Sequence, residues 1–102
     1  MSMKNRNIWA AKDKELVILI LGREGGKTTA RIIDSLLEKP YNKNQLTNIL
    51  HLDYNTITYH TDLLCKHGYA TKEKFENSYY YHPSNKLFNH IDDYILIKEV
   101  LK

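Results

Sequence analysis

The segment NKNQLTNILHLDYNTITYHTDLLCKHG, residues 42–68, contains the signals of two consecutive helices joined by a short turn. Asn42 begins the first helix, and Gln45 three residues later completes a start that resembles a capping box. Three apolar residues recur at helical spacing and predict the buried stripe of this helix: Leu46, Ile49 and Leu50. The tripeptide HLD then forms a tight connection, in which Leu52 is the expected buried anchor.

The second helix of this segment is predicted to begin after Asp53, whose side chain can cap it, and to end at Gly68. Its expected inner face carries Ile57, Thr61 and Leu64, with Tyr54 and His60 at the margins. Its outward positions are polar or amphipathic: Asn55, Tyr59, Asp62 and Lys66. Two helices joined by a short turn, the second apolar inside and polar outside, predict a helix-turn-helix.

The flanking segments complete the fold. Before the helix-turn-helix, an apolar stripe predicts a helix from Thr28 that Lys39-Pro40 ends: Ile32, Ile33, Leu36 and Leu37. After Gly68, the runs YATKEKF and SYYYHP surround the polar turn Glu76-Asn77 and predict a β-hairpin that Pro83 ends.

One last helix is predicted after Ser84, which can cap it. Its apolar positions cover a wide arc: Leu87, Phe88, Ile91, Tyr94, Ile95, Val100 and Leu101. The element order predicts an α+β, mostly helical winged-helix fold, with a three-helix helix-turn-helix core, a β-hairpin wing and an added C-terminal helix.

The stretch ILILGREGGKTTARII, residues 18–33, has the order of parts of a nucleotide-binding loop. Such a loop needs four residues between its two glycines so that backbone N–H groups surround a phosphate. Gly22 and Gly26 have three residues between them, and no second parallel strand is predicted downstream. We therefore predict that the protein is not an enzyme and has no catalytic residues and no cofactor. The stretch is interpreted as a glycine-rich helix entry, either capped by Thr28 or placing Lys27 and Thr28 near a DNA phosphate.

Residues 14–21 allow two interpretations. Asp13 before the segment and Gly22 after it favour a short helix, whereas the β-branched Val17, Ile18 and Ile20 favour a strand. Both alternatives stay open from the sequence alone.

Length and composition are those of one ordinary globular domain, because the chain has 102 residues, of which 42% are hydrophobic and 26% charged. A net charge of +3 is compatible with binding to nucleic acid, although no long basic block is present.

The single cysteine, Cys65, excludes an internal disulfide and a cysteine-rich zinc site. The five histidines form no close cluster in the sequence and no Cys-x-Cys pair is present, so we expect no metal site and identify no small-molecule ligand. The apolar stretch 16–21 is too short to span a bilayer and no signal peptide is apparent, which predicts a cytoplasmic protein with no membrane partner.

The run GGKTTARIIDSLLEKPYNKNQLTNILHLDYNTITYHTDLL resembles a family of small archaeal winged-helix transcriptional regulators related to the arsenic-repressor group. The motifs that carry the resemblance are Gly-Gly-Lys-Thr, Ala-Arg-Ile-Ile, Pro-Tyr-Asn, Asn-Gln-Leu and Asp-Tyr-x-Thr, over residues 22–70. The resemblance implies sequence-specific binding of double-stranded DNA by a homodimer, with the third helix in the major groove and the wing on the backbone.

Carried over by position, the resemblance implies base contacts from Asn55, Thr56, Thr58 and Tyr59, and phosphate contacts from Lys43, Asn44 and Gln45. The outward Lys66 and the wing residues Lys72 and Lys74 are further candidates for the DNA backbone. The family usually has a basic residue where Tyr59 stands and a leucine where Thr61 stands.

The proposed organisation has three parts. Residues 1–21 are an N-terminal extension with a dimer contact, residues 22–83 the winged-helix DNA-binding domain, and residues 84–102 a C-terminal dimerisation helix. The apolar run YILI in the last helix, together with residues 16–21, predicts a homodimer whose recognition helices lie about 34 Å apart. The leading interpretation is a repressor that occupies promoter DNA. The alternative is a winged-helix protein–protein interaction module without sequence-specific DNA binding, which the sparse basic charge on the outward face favours.

Overall fold

The computed structural model describes residues 8–101 of the chain. A 3-10 turn, Ile8–Ala10, precedes four helices: α1 (Lys14–Leu21), α2 (Gly26–Glu38), α3 (Lys43–Leu50) and α4 (Tyr54–Lys66). Two strands follow, β1 (Ala70–Phe75) and β2 (Ser78–Pro83), and then helices α5 (Asn85–Asn89) and α6 (Ile91–Leu101). The first seven residues of the predicted N-terminal extension and residue 102 of the predicted dimerisation helix lie outside the described residues.

The core lies around α2, which packs against α1, α3, α4 and strand β2. Its fully buried side chains come from nearly every element: Leu16, Ile20, Ile32, Ile33, Leu46, Ile57, Leu64, Leu87 and Ile97. Because α2 lies at the centre of this core, α3 and α4 take fixed positions relative to the strands.

Residues 14–21 form a helix, which settles the alternative that the sequence left open. The side chain of Asp13 accepts a hydrogen bond of 3.2 Å from the Leu16 N–H, and the Gly22 N–H donates to the Ile18 carbonyl. Both ends of the segment are therefore capped, and this local satisfaction of backbone groups outweighs the strand preference of its β-branched residues.

The three other predicted N-caps are confirmed. Asn42 and Gln45 form a complete capping box, with hydrogen bonds of 2.8 Å and 2.9 Å between each side chain and the other residue's N–H. Asp53 accepts from the Thr56 N–H at 2.7 Å, and Ser84 accepts from the Leu87 N–H at 3.2 Å. Each cap fixes where a helix begins and therefore which side chains face outward.

The interpretation of Thr28 as the cap of α2 is wrong. The N-cap is Gly25, which has a φ of 82° and makes no side-chain cap, and the helix begins at Gly26. A Cβ atom at residue 26 would overlap the backbone carbonyl of Ile20, so α1 and α2 meet backbone to backbone at this point. The glycine pair is therefore required by the joint between two helices.

Two further sequence-based expectations are corrected. Of the predicted buried stripe of α3, only Leu46 is fully buried. Leu50 is partly buried, and Ile49 is 45% exposed. The single C-terminal helix is two helices, because α5 ends at Asn89 and His90 separates it from α6.

The two strands form the predicted antiparallel hairpin, here called the wing (residues 70–83). The register pairs Phe75 with Ser78, which leaves Glu76 and Asn77 as the turn, as predicted. Tyr41 adds a single-residue third strand, because it exchanges backbone hydrogen bonds with Tyr81. The wing is thereby fastened to the connection between α2 and α3.

The N-terminal helix is joined to the C-terminal helices by buried carboxylates. Asp93 accepts from the N–H groups of Lys12 and Asp13 at 3.0 Å and 2.8 Å. Tyr69, just before the wing, donates its hydroxyl to Asp13, and burial with this contact raises the pKa of the Tyr69 phenol. Over residues 8–101, no helix is long and apolar enough to cross a membrane.

Candidate nucleic-acid interface

Helix α4 presents the outward face that the sequence predicts. Ile57, Thr61 and Leu64 are buried, and the Thr61 hydroxyl donates to the Ile57 carbonyl at 2.8 Å. Asn55, Tyr59, Asp62 and Lys66 are exposed, with Tyr59 56% exposed. Asn55 and Tyr59 lie one turn apart on the same side of the helix and form its exposed polar surface.

The four predicted base-contacting residues of α4 are not equally accessible. Asn55 and Tyr59 are exposed, whereas Thr56 and Thr58 are partly buried. The Thr58 hydroxyl oxygen is buried and has no hydrogen-bond partner among the residues that the structure describes. Asn55 and Tyr59 are therefore the better placed of the four to contact a ligand of the outward face.

The two residues predicted at the margins of the inner face differ from each other. Tyr54 is exposed, whereas His60 is buried and its Nδ1 lies 2.9 Å from the Thr29 hydroxyl on α2. Burial, and to a lesser extent the nearby Arg23 cation, lowers the pKa of His60 below its ordinary value. A neutral His60 therefore holds α4 against the start of α2.

Arg23, in the loop between α1 and α2, also contacts the outward face of α4 and is a site residue that the sequence did not predict. Its Nη2 donates to the Tyr59 hydroxyl at 3.1 Å, and its Cζ lies 5.8 Å from the centre of the Tyr59 ring. Its Nη1 donates to the Leu19 carbonyl at 3.0 Å. The sequence held no signal for this contact, because 36 residues separate the two side chains.

A groove of about 320 Å³ lies where the start of α3 meets the start of α4 and the wing. Its lining includes Lys43 and Asn44 from α3, Tyr54 from α4, and Lys72 and Tyr79 from the wing. The Lys43 Nζ lies 5.5 Å from the Tyr54 ring centre, and the Lys72 Nζ lies 5.0 Å from that of Tyr79. Three of the predicted backbone-contacting residues, Lys43, Asn44 and Lys72, thus line the same groove, and each of the two lysines lies beside an aromatic ring.

The remaining predicted backbone contacts lie elsewhere. Gln45 uses its side-chain oxygen in the α3 capping box. Lys74 lines a different depression, with Pro40, Phe75 and Tyr80. Lys66 is in the last turn of α4, about 16 Å along the helix axis from Asn55. Lys66 and Lys74 are therefore not among the residues that line the groove, whereas Gln45 is hydrogen-bonded to Asn42, which does line it.

Metal-binding side chains are not clustered in the described part of the chain, where no three of His, Cys, Asp and Glu are placed to hold an ion. Cys65 is a free, partly buried thiol on α4, and burial raises its pKa.

A helix-turn-helix followed by a two-stranded wing, with further helices at both ends, is a winged-helix fold. The structure of HlyU from Vibrio cholerae N16961 has the same fold, with a TM-score of 0.64 and 16% identical residues over 99% of this chain and 100% of that one. No protein-family model matches the sequence, and no curated protein sequence matches it. At this level of identity, the similarity to HlyU shows the fold.

Proposed function

We propose that this protein is a sequence-specific double-stranded DNA-binding transcriptional regulator that acts as a homodimer and represses by occupying promoter DNA. The observation that carries the proposal is the position of the exposed polar face of α4 beside a groove that contains Lys43 and Lys72. The winged-helix fold, which this protein shares with HlyU, supports this class of function.

Helix α4 is the proposed recognition helix. The major groove of B-DNA admits an α-helix and presents a different pattern of donors and acceptors for each base pair. Asn55 is a residue type that makes two hydrogen bonds to adenine, and Tyr59 presents an apolar ring to a thymine methyl group. Thr56 and Thr58 are expected to contribute less, because their side chains are partly buried.

The groove and its surroundings are the proposed backbone site. Lys43, Asn44 and Gln45 at the start of α3 approach one phosphate strand, together with Lys72 on the wing. Lys66 on α4 and Lys74 on the wing are proposed as further phosphate contacts outside the groove. Such contacts fix the orientation of the protein on the duplex and make its affinity depend on salt.

Homodimerisation is proposed through α1 and α6, within the N-terminal extension 1–21 and the C-terminal segment 84–102. The 3-10 turn and α1 both pack against α6, and three large apolar side chains of these elements remain exposed: Trp9 (78%), Ile18 (62%) and Ile95 (55%). We expect a two-fold axis through this surface to place two copies of α4 about one turn of DNA apart, which is roughly 34 Å.

The experiment is selection of bound duplexes from genomic fragments, followed by measurement of affinity against salt concentration by fluorescence anisotropy. We expect a preferred sequence and a steep loss of affinity with salt. Asn55→Ala and Tyr59→Ala are expected to remove the preference, whereas the matched control Asn48→Ala, an exposed residue of α3, retains it. No binding at low salt, or a flat salt dependence, contradicts the proposal and favours the protein–protein interaction module.

A further inference from the structure

Arg23 is held in place by the backbone and side chains around it. Its Nη1 donates to the Leu19 carbonyl at the end of α1 and lies 3.5 Å from the Thr29 hydroxyl on α2. Its Nη2 donates to the Tyr59 hydroxyl on α4. These contacts come from three helices, so the guanidinium has a defined position beside the outward face of α4.

The guanidinium keeps unused hydrogen-bonding capacity. It carries five N–H groups, and two on Nη1 and one on Nη2 are directed at the three partners above. Within residues 8–101, the Nε–H and the second Nη2–H have no partner, and no carboxylate forms an ion pair with Arg23. A partly buried cation with two free donors and no acidic partner is suited to an anionic ligand.

The position of Arg23 identifies the ligand class. Tyr59 shares its side of α4 with Asn55, which is the side proposed to enter the major groove. Arg23 reaches this side from the loop before α2, at the flank of the helix, where the phosphates that border a major groove lie. The buried and neutral His60 beneath Tyr59 adds no competing charge.

We propose that Arg23 binds a backbone phosphate of the DNA strand that borders α4, and that Tyr59 is the positioning residue that aims its guanidinium. This inference rests on the proposed function. Arg23 thereby supplies, from the loop before α2, a cation beside Tyr59, a position at which α4 itself has no basic side chain.

The test compares Arg23→Gln with Arg31→Gln by fluorescence anisotropy on the selected duplex over a range of salt concentrations. Arg31 is a matched control, because it is an exposed arginine of α2 that donates to the Leu50 carbonyl at 2.9 Å. We expect Arg23→Gln to lower the slope of log affinity against log salt by about 0.9 per protomer and the affinity by about tenfold. Tyr59→Phe, which keeps the ring and removes the hydroxyl, is expected to lose affinity with the wild-type slope. Equal slopes for Arg23→Gln, Arg31→Gln and wild type overturn the inference.

A measurement on the unmodified protein covers the case in which Arg23→Gln fails to fold. The Arg23 Nε–H signal in a nitrogen-15 NMR spectrum is expected to shift and to exchange more slowly with water when duplex is added. The inference is overturned if the Arg23 Nε–H signal does not change when the duplex binds. It is also overturned if ATP alone, a second source of phosphate, shifts this signal equally. A wild-type protein that binds no duplex contradicts the proposed function itself, whereas normal binding with an unchanged Arg23 signal contradicts the inference alone.

Discussion

Tyr41 and Tyr81 exchange two backbone hydrogen bonds, of 3.2 Å and 2.8 Å, between the connection that precedes α3 and the second strand of the wing. The Tyr81 side chain is buried in the core. The wing is therefore tied to the helix-turn-helix by its backbone and by one aromatic ring. This link keeps Lys72 of the wing on the same groove as Lys43 of α3.

Replacing Tyr81 with alanine is expected to lower the free energy of unfolding by about 3–4 kcal/mol, because a large buried side chain is lost and a cavity remains. The matched control is Tyr79→Ala, because Tyr79 lies two residues earlier on the same strand and is exposed. This substitution is expected to change the free energy of unfolding by about 0.5 kcal/mol. Urea denaturation measures both. Equal losses would show that the Tyr81 ring does not anchor the wing.

Lys43→Gln and Lys72→Gln are each expected to weaken binding to the selected duplex and to unrelated duplexes by the same factor, since phosphate contacts carry no sequence information. Each substitution should lower the salt slope by about 0.9 per protomer. Lys12→Gln, the same change at an exposed residue before α1, serves as the control. A change in sequence preference without a change in slope would place these lysines on bases.

Loss of the α3 capping box should reduce stability by a measurable amount. Asn42→Ala removes the side chain that accepts from the Gln45 N–H, and a loss of about 1 kcal/mol in the free energy of unfolding is expected. Asn48→Ala, an exposed position within the same helix, should leave stability unchanged or slightly higher because alanine favours helix. Thermal and urea unfolding measure the pair, and the prediction fails if Asn42→Ala is as stable as Asn48→Ala.

His60 predicts a pH dependence of stability. Its pKa is lowered in the folded protein by burial and then by Arg23, from an ordinary value of 6.5. As pH falls below about 6.5, the unfolded chain takes up a proton at this residue that the folded chain does not, so the free energy of unfolding falls with pH in this range. His60→Gln removes this contribution, and its loss of stability between about pH 7.5 and pH 5.5 is expected to be smaller than that of the wild type. Identical pH profiles for the two proteins contradict this account of the histidine.

Ile18→Lys and Ile95→Lys are expected to convert the proposed homodimer to a monomer, because each places a charge in the apolar surface of α1 and α6. Ile49→Lys is the matched control, since this isoleucine is similarly exposed but lies on α3. Sedimentation equilibrium gives the mass of each variant. A wild-type mass that is monomeric at all concentrations would refute the dimer, and a monomeric Ile49→Lys would refute its location.

Features whose two partners lie close together in the sequence could be predicted. In the α3 capping box, Asn42 and Gln45 are three residues apart, and the caps by Asp53 and Ser84 span the same distance. The wing turn follows from two aromatic runs around Glu76-Asn77. These local signals place the helices and strands, and their order predicts the fold.

Features that depend on distant parts of the chain could not be predicted. Arg23 meets Tyr59 across 36 residues, and no periodicity relates a loop residue to a helix face. The contact at the start of α6 could not be predicted for the same reason, because Asp93 accepts a hydrogen bond from the Asp13 N–H, 80 residues away in the sequence. The error at Ile49 has another cause: a helical wheel gives the apolar stripe of a short helix, but the neighbouring elements decide how much of that stripe they cover.

Gly25 and Gly26 bear on how mutational tolerance should be interpreted in this loop. Residue 25 has a positive φ that favours glycine, and a side chain at residue 26 would overlap the Ile20 carbonyl. A saturation scan scored by cell growth would therefore record two adjacent intolerant glycines next to a lysine and a threonine, a profile that resembles a ligand-binding loop. The intolerance would report the close approach of two helices. If DNA occupancy and protein abundance are measured as well, substitutions of Arg23 are expected to lower occupancy without lowering abundance, whereas substitutions of the two glycines are expected to lower both.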